Sequence, residues 1–165
     1  MRCAINLDTV YPFIPTLATG TTGFSKEADF IKKENKNNLS QLHKSFALGL
    51  GGVFIELDNV QNECSVENWD GYGALPINKT SANNTEELLN ALPIGLTAPS
   101  IGAEPDGTIT VGWYNSPQKA LSISISPEND LHYAAIIGLR RIYGTEPFFG
   151  TLPRAIHELI CLVIA

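Results

Sequence analysis

The chain lacks every common catalytic signature. It has no GxSxG elbow, no Walker loop, no HExxH and no GxGxxG, so no nucleophile, phosphate cradle or zinc helix is announced by motif. The nearest approach, Gly49-Leu50-Gly51-Gly52, has no Lys-Ser/Thr ending and reads better as a helix end. Cysteine is scarce: Cys3, Cys64 and Cys161 are too few and too far apart for a disulfide framework or a zinc knuckle. His43, His132 and His157 are equally dispersed, and neither a metal nor a cofactor is expected. Basic charge is short as well. Lys and Arg number 11 against 17 acids, a net charge of −6, without the basic stripe that a nucleic-acid binder needs to release counterions. The longest apolar run, Leu159 to Ala165, is far shorter than a membrane span. The first residues, broken by Pro12 and Pro15, make a poor signal peptide. These absences describe a reduced, cytoplasmic protein whose acidity steers it towards a basic protein partner.

What is present is a globular composition, 44% apolar over 165 residues, which suits a single domain with a sizeable core. Residues 1–65 are irregular. A short strand is expected near Cys3 to Leu7. A helix follows with Ser25 as cap, ending in the polar run Lys32 to Asn38. A second helix runs from about Ser40, with Leu39, Leu42, Phe46 and Leu50 on one face and Gly49, Gly51 and Gly52 at its end. Val53 to Leu57 fits either a strand or a helical turn.

Residues 66–165 are better punctuated. Thr80 or Ser81 caps a helix to about Leu92, whose apolar face is Thr85, Leu88, Leu89 and Leu92. An extended segment over 100–104 leads to the Pro105-Asp106-Gly107 turn. Ile109, Val111 and Trp113 alternate along the next strand. Asn115 to Gln118 turns, and Leu121, Ile123 and Ile125 then alternate with Ser122, Ser124 and Ser126. A further strand carries Leu131, Tyr133, Ala135 and Ile137. Arg140 and Arg141 follow the last strand, and Gly144 to Gly150 reads as a loop. Thr151 and Pro153 begin a C-terminal helix with Ala155, Ile156, Leu159, Ile160 and Val163 as its stripe. The fold class is therefore α+β: an antiparallel meander of three to five strands with helices packed on one face, preceded by a partly helical segment.

Chemistry-bearing residues fall in four groups. Asn68-Trp69-Asp70-Gly71-Tyr72-Gly73-Ala74 is a knot of aromatics, a carboxylate and two glycines, suited to a structural corner from which Tyr72 shows a face to a partner. Arg140, Arg141 and Tyr143 mix cations with an aromatic, as protein contacts do. Phe148 and Phe149 are adjacent, so one fills the core while the other can anchor a partner. Asp70, Glu104 and Asp106 are carboxylates near turns. Metal-dependent hydrolases and nucleases gather such acids, with His132 as a base, whereas turn capping explains Asp70 and Asp106 without any metal.

The knot, the following helix ending in Leu92-Pro93, Pro105-Asp106-Gly107 and the strand ending in Trp113 together resemble a widespread group of small uncharacterised bacterial proteins. Their pattern is W-D-x-x-G-A, a helix, P-x-x-D-G and a strand ending in Trp. The resemblance covers about residues 68–160. It departs at Val111-Gly112-Trp113, where the group commonly has Leu-Glu-Trp. It implies a bacterial cytoplasmic origin and transfers no catalytic residue.

The function expected from the sequence is non-enzymatic: a protein-binding module of the inhibitor, immunity or antitoxin kind in bacterial or phage conflict. Its binding residues would be Trp69, Asp70, Tyr72, Arg140, Arg141, Tyr143, Phe148 and Phe149. The alternatives are a metal-dependent hydrolase or nuclease using Asp70, Glu104 and Asp106, and a homo-oligomer subunit in which an edge strand pairs with its copy.

Overall fold

Alternation of apolar and small polar residues builds the sheet. In the computed structural model, which describes residues 26–45 and 49–165, five strands lie in the order β1-β2-β3-β4-β5 and every neighbouring pair is antiparallel. They are β1 (Ser100–Ala103), β2 (Ile109–Ser116), β3 (Lys119–Ile125), β4 (Asp130–Ile137) and β5 (Arg140–Pro147). Register places Val111 beside Ile123 and Trp113 beside Leu121. With Ile109, Ile125, Leu131 and Ala135 they form one buried face. The Trp113 indole N–H donates to the Thr97 carbonyl at 2.8 Å, so even the largest core side chain leaves no polar atom unpaired.

The turns use the chemistry expected of them. Asp106 accepts from the Thr108 amide at 2.9 Å and from its hydroxyl at 2.7 Å. Gly107 adopts φ +85°, and a Cβ there would lie 2.7 Å from the Pro76 carbonyl oxygen. Both the backbone conformation and the close approach require glycine.

One strand departs from the sequence reading. Arg140, Arg141 and Tyr143 do not follow the last strand, and Gly144–Pro147 is not loop. All belong to β5, an edge strand paired along its length with β4. An edge strand buries little, so β5 carries no strong apolar alternation to announce it. Its Gly144 sits directly opposite Tyr133, and a Cβ at 144 would meet the Tyr133 phenol oxygen at 2.6 Å. The tyrosine lies over the glycine and covers the gap left by the missing side chain.

Helices α2 (Gly51–Glu63), α3 (Lys79–Ala91) and α4 (Arg154–Ile164) cover the buried face, while α1 (Lys26–His43) packs chiefly against α3. Their boundaries correct the sequence reading in four places. First, the polar run Lys32 to Asn38 does not end a helix. α1 passes straight through it, because a solvated helix needs no apolar face there, and Leu39 and Leu42 remain exposed. Second, Gly51 and Gly52 open α2 instead of closing its predecessor. Val53 to Leu57 is thus helical, with Val53, Phe54 and Leu57 spaced three and four apart on the core.

Third, the α3 cap is Asn78, which accepts from the Thr80 amide at 2.8 Å. That frees Ser81 for a buried role. Fourth, Pro153 occupies the cap position of α4, without a side-chain capping bond from Thr151. The stripe Ile156, Leu159, Ile160 and Val163 is buried as its spacing requires. The expected Cys3–Leu7 strand, the Ser25 cap and Phe46 lie outside the described residues. Among the described residues no helix is long and apolar enough to cross a membrane.

Candidate functional site on the aromatic sheet face

The knot at 68–75 closes upon itself. Asn68 takes φ 61°. Its amide donates to the Ala74 carbonyl at 2.7 Å, and its side-chain oxygen accepts from the Gly73 amide at 2.7 Å. Asp70 accepts from the amides of Tyr72 at 2.8 Å and Ala74 at 3.1 Å. The Tyr72 amide, then the Ala74 amide, hold the Asp70 carboxyl below the usual carboxylate range. Trp69 donates its indole N–H to the Leu75 carbonyl at 2.9 Å. The loop is docked by Leu75, whose amide donates to Pro105, and by Asn78, whose amide donates to Gly107. Every polar group singled out here serves the corner itself. The large side chains left exposed are Tyr72, at 95%, and Leu75.

Among the described residues no helix lies on the other face of the sheet. Register arranges its side chains in rows across the strands. One row is Thr110, Ser124, His132 and Thr145. The next is Ser100, Gly112, Ser122, Ala134 and Tyr143. The last is Tyr114, Ala120, Ile136 and Arg141. The first row is a polar strip: Thr110 donates to Glu104, the Thr108 and Ser124 hydroxyls meet at 3.2 Å, and His132 Nδ1 lies 2.8 Å from the Thr145 hydroxyl. The other two rows enclose a shallow depression of about 550 Å³. Gly112, Ala120 and Ala134 form its floor because they carry little or no side chain. Tyr114 and Tyr143, 73% and 83% exposed, rise on either side, with Ile136 and Arg141 at the open end.

Topology separates the residues that the sequence grouped as one binding set. The knot flanks the Pro105–Gly107 turn, and the Phe148 amide donates to Asn129 in the β3–β4 turn. Trp69, Asp70, Tyr72 and Phe149 therefore lie at one end of the sheet. Arg140 and Arg141 lie at the other, beside the β4–β5 turn. Phe148 does not belong with the exposed aromatics. It is 2% exposed and packs in the core, whereas Phe149 is 82% exposed, which is the division of labour that two adjacent aromatics impose.

The carboxylates are spent locally. Asp106 is held low by the Thr108 hydroxyl and then by its amide, and Glu104 accepts from Thr110. Among the described residues no three His, Cys, Asp or Glu side chains gather where they could hold a metal ion. Cys64 is buried, which pushes its thiol up, with Glu63 adding to the effect.

Tyr114, Ile136, Gly112 and Ala134 were not among the site residues expected from the sequence. The signal for them was parity. They share the register of the serines on β3, a face read as merely solvated, and only cross-strand register shows that bulky groups on β2, β4 and β5 surround small ones. No protein-family model, no curated protein and no solved structure matches this chain.

Proposed function

We propose that the chain is a non-enzymatic protein-binding module of the inhibitor or immunity type, acting by occupying a partner protein with the aromatic half of the sheet face that no described helix covers. The observation that carries this reading is the pair Tyr114 and Tyr143, exposed on β2 and β5 around a floor of small residues. Tyrosines in this setting offer large contact area at low entropic cost, and an arginine beside them adds directional hydrogen bonding. The complementary partner surface presents an apolar knob into the depression and a carboxylate or carbonyl to Arg141. Net charge of −6 favours a partner that is basic overall. The bacterial, cytoplasmic setting inferred from the sequence suits such a role.

The test is affinity capture from the source organism, comparing the wild type with Tyr114→Ala/Tyr143→Ala. Each tyrosine is expected to contribute about 2 kcal/mol to binding, so the double variant should lose the captured protein. Its melting temperature should stay within about 2 °C of the wild type, because both side chains are exposed. Equal capture by the double variant would exclude this face as the site.

A further inference from the structure

The two edges of the sheet are treated differently. Edge strand β1 has only four residues, α2 lies against it, and the Ile101 amide donates to the Glu56 carboxylate at 3.2 Å. That is how a sheet edge is closed against unwanted pairing. Edge strand β5 has eight residues, and among the described residues only β4 lies along it.

The direction of its free groups follows from one hydrogen bond. The Phe148 amide donates to the Asn129 carbonyl at 2.7 Å, in the same register as the β4–β5 ladder. Antiparallel pairing alternates, so the backbone groups of Gly144, Ile142 and Arg140 also point at β4. Those of Arg141, Tyr143 and Thr145 point outward, and among the described residues nothing caps them.

We infer that β5 pairs antiparallel with β5 of a second copy, about a two-fold axis through Tyr143. A two-fold axis normal to the sheet keeps each face on its own side, so only registers with matching side-chain parity are allowed. Centring on Tyr143 sets Tyr143 against its own copy and Arg141 against Thr145. These three outward-pointing residues then exchange backbone hydrogen bonds with one another. The same register sets Arg140 opposite Glu146, twice, on the helix-covered side of the sheet, and places Ile142 opposite Gly144. Opposite charges directly across a strand pair are stabilising. Neither Arg140 nor Glu146 has an ion-pair partner within its own chain among the described residues.

Neighbouring registers are worse. Centring on Gly144 puts Pro147, which has no N–H, against Arg141. Centring on Ile142 takes Glu146 off the ladder and leaves Arg140 facing Gly144. The dimer seam shares Tyr143 and Arg141 with the rim of the depression, whereas its charge pairs Arg140–Glu146 lie on the helix-covered side, where reversing them leaves the docking face unaltered.

Sedimentation equilibrium of the full chain tests it. The wild type should sediment at twice 17.9 kDa. Arg140→Glu and Glu146→Arg should each weaken dimerisation by about tenfold or more, because each creates two like-charge pairs per dimer. The double variant Arg140→Glu/Glu146→Arg should recover to within about threefold of the wild type, since the pairs are restored with their signs reversed. Thr145→Pro removes an outward N–H without touching the β4 ladder, and should give a monomer with an unchanged circular dichroism spectrum. A monomeric wild type at about 200 µM overturns the proposal, as does a dimer that the single charge reversals leave intact or that the double variant fails to restore. Tyr114 lies on β2, outside the β5 seam, so loss of partner capture by Tyr114→Ala with the mass unchanged bears on the docking face alone.

Discussion

Asp70 and Asp106 each hold a turn together with one carboxylate, and their protonation is coupled to folding. The amides and hydroxyl that bind them are in place only in the folded chain. The folded state therefore releases these protons more readily than the unfolded one. A depressed carboxylate stabilises fully above about pH 4, its unfolded value, and loses that contribution as the pH falls through the folded value. Thermal melts should show the wild type losing stability as the pH falls below about 4, and Asp70→Asn/Asp106→Asn losing less over the same range. At pH 7 the double variant should be the less stable of the two. Parallel curves would mean that neither carboxylate is coupled to folding. The capping role of both residues was legible in Asp-Gly spacing. That of Asn68 was not, because its left-handed conformation and reach to Gly73 depend on how the whole loop closes.

At the level of elements, the junction between α3 and the sheet rests on a buried hydroxyl. Ser81 donates to the Ile125 carbonyl at 2.5 Å and accepts from the Ile109 amide at 3.3 Å. Asn84, one turn on, donates to the Ser126 carbonyl at 3.0 Å. Ser81→Ala leaves these core partners without the hydroxyl and is expected to cost about 1–3 kcal/mol, read as a lower urea midpoint at unchanged slope. A change below about 0.5 kcal/mol, ordinary for a surface site, would mean that the helix is held by apolar contact alone. From sequence, Ser81 looked like a cap because serine before an amphipathic run usually is one. Only the packing of α3 on β2 and β3 shows that Asn78 caps and Ser81 anchors. The C-terminal helix needed no such context, since Ile156, Ile160 and Val163 fall on one stripe that must be buried wherever the helix docks.

Across the whole molecule, stability is uneven. The sheet with α2, α3 and α4 shares one core. α1 is joined to it through α3, and just beyond the helix through Lys44, which pairs with Glu86 at 3.0 Å and lies 5.3 Å from the centre of the Phe54 ring. Phe30, Ile31, Leu39 and Leu42 on α1 stay exposed. Most helical stability in proteins comes from tertiary packing of an apolar face, and α1 has little of it. Hydrogen exchange should therefore proceed at least about a hundredfold faster over α1 than over β2 and β3, since local opening costs less than global unfolding. Uniform protection would mean that α1 belongs to the cooperative core.

The sequence by itself determined the fold class, the four-strand run from 100 to 137, the buried parity of β2 and β3, and the stripe of α4. Each of these is written locally, in the period of apolar residues and in turn chemistry. Tertiary structure alone decided the rest. β5 exists because β4 offers it a ladder, not because its own residues demand burial. The depression exists because register sets Gly112 and Ala134 between Tyr114 and Tyr143, residues up to 31 positions apart. The aromatic knot, densest of all in sequence, became a self-satisfied corner because its hydrogen bonds close inward. Local pattern fixes which side of a strand faces the core, while only cross-strand pairing decides what stands beside what on the other side.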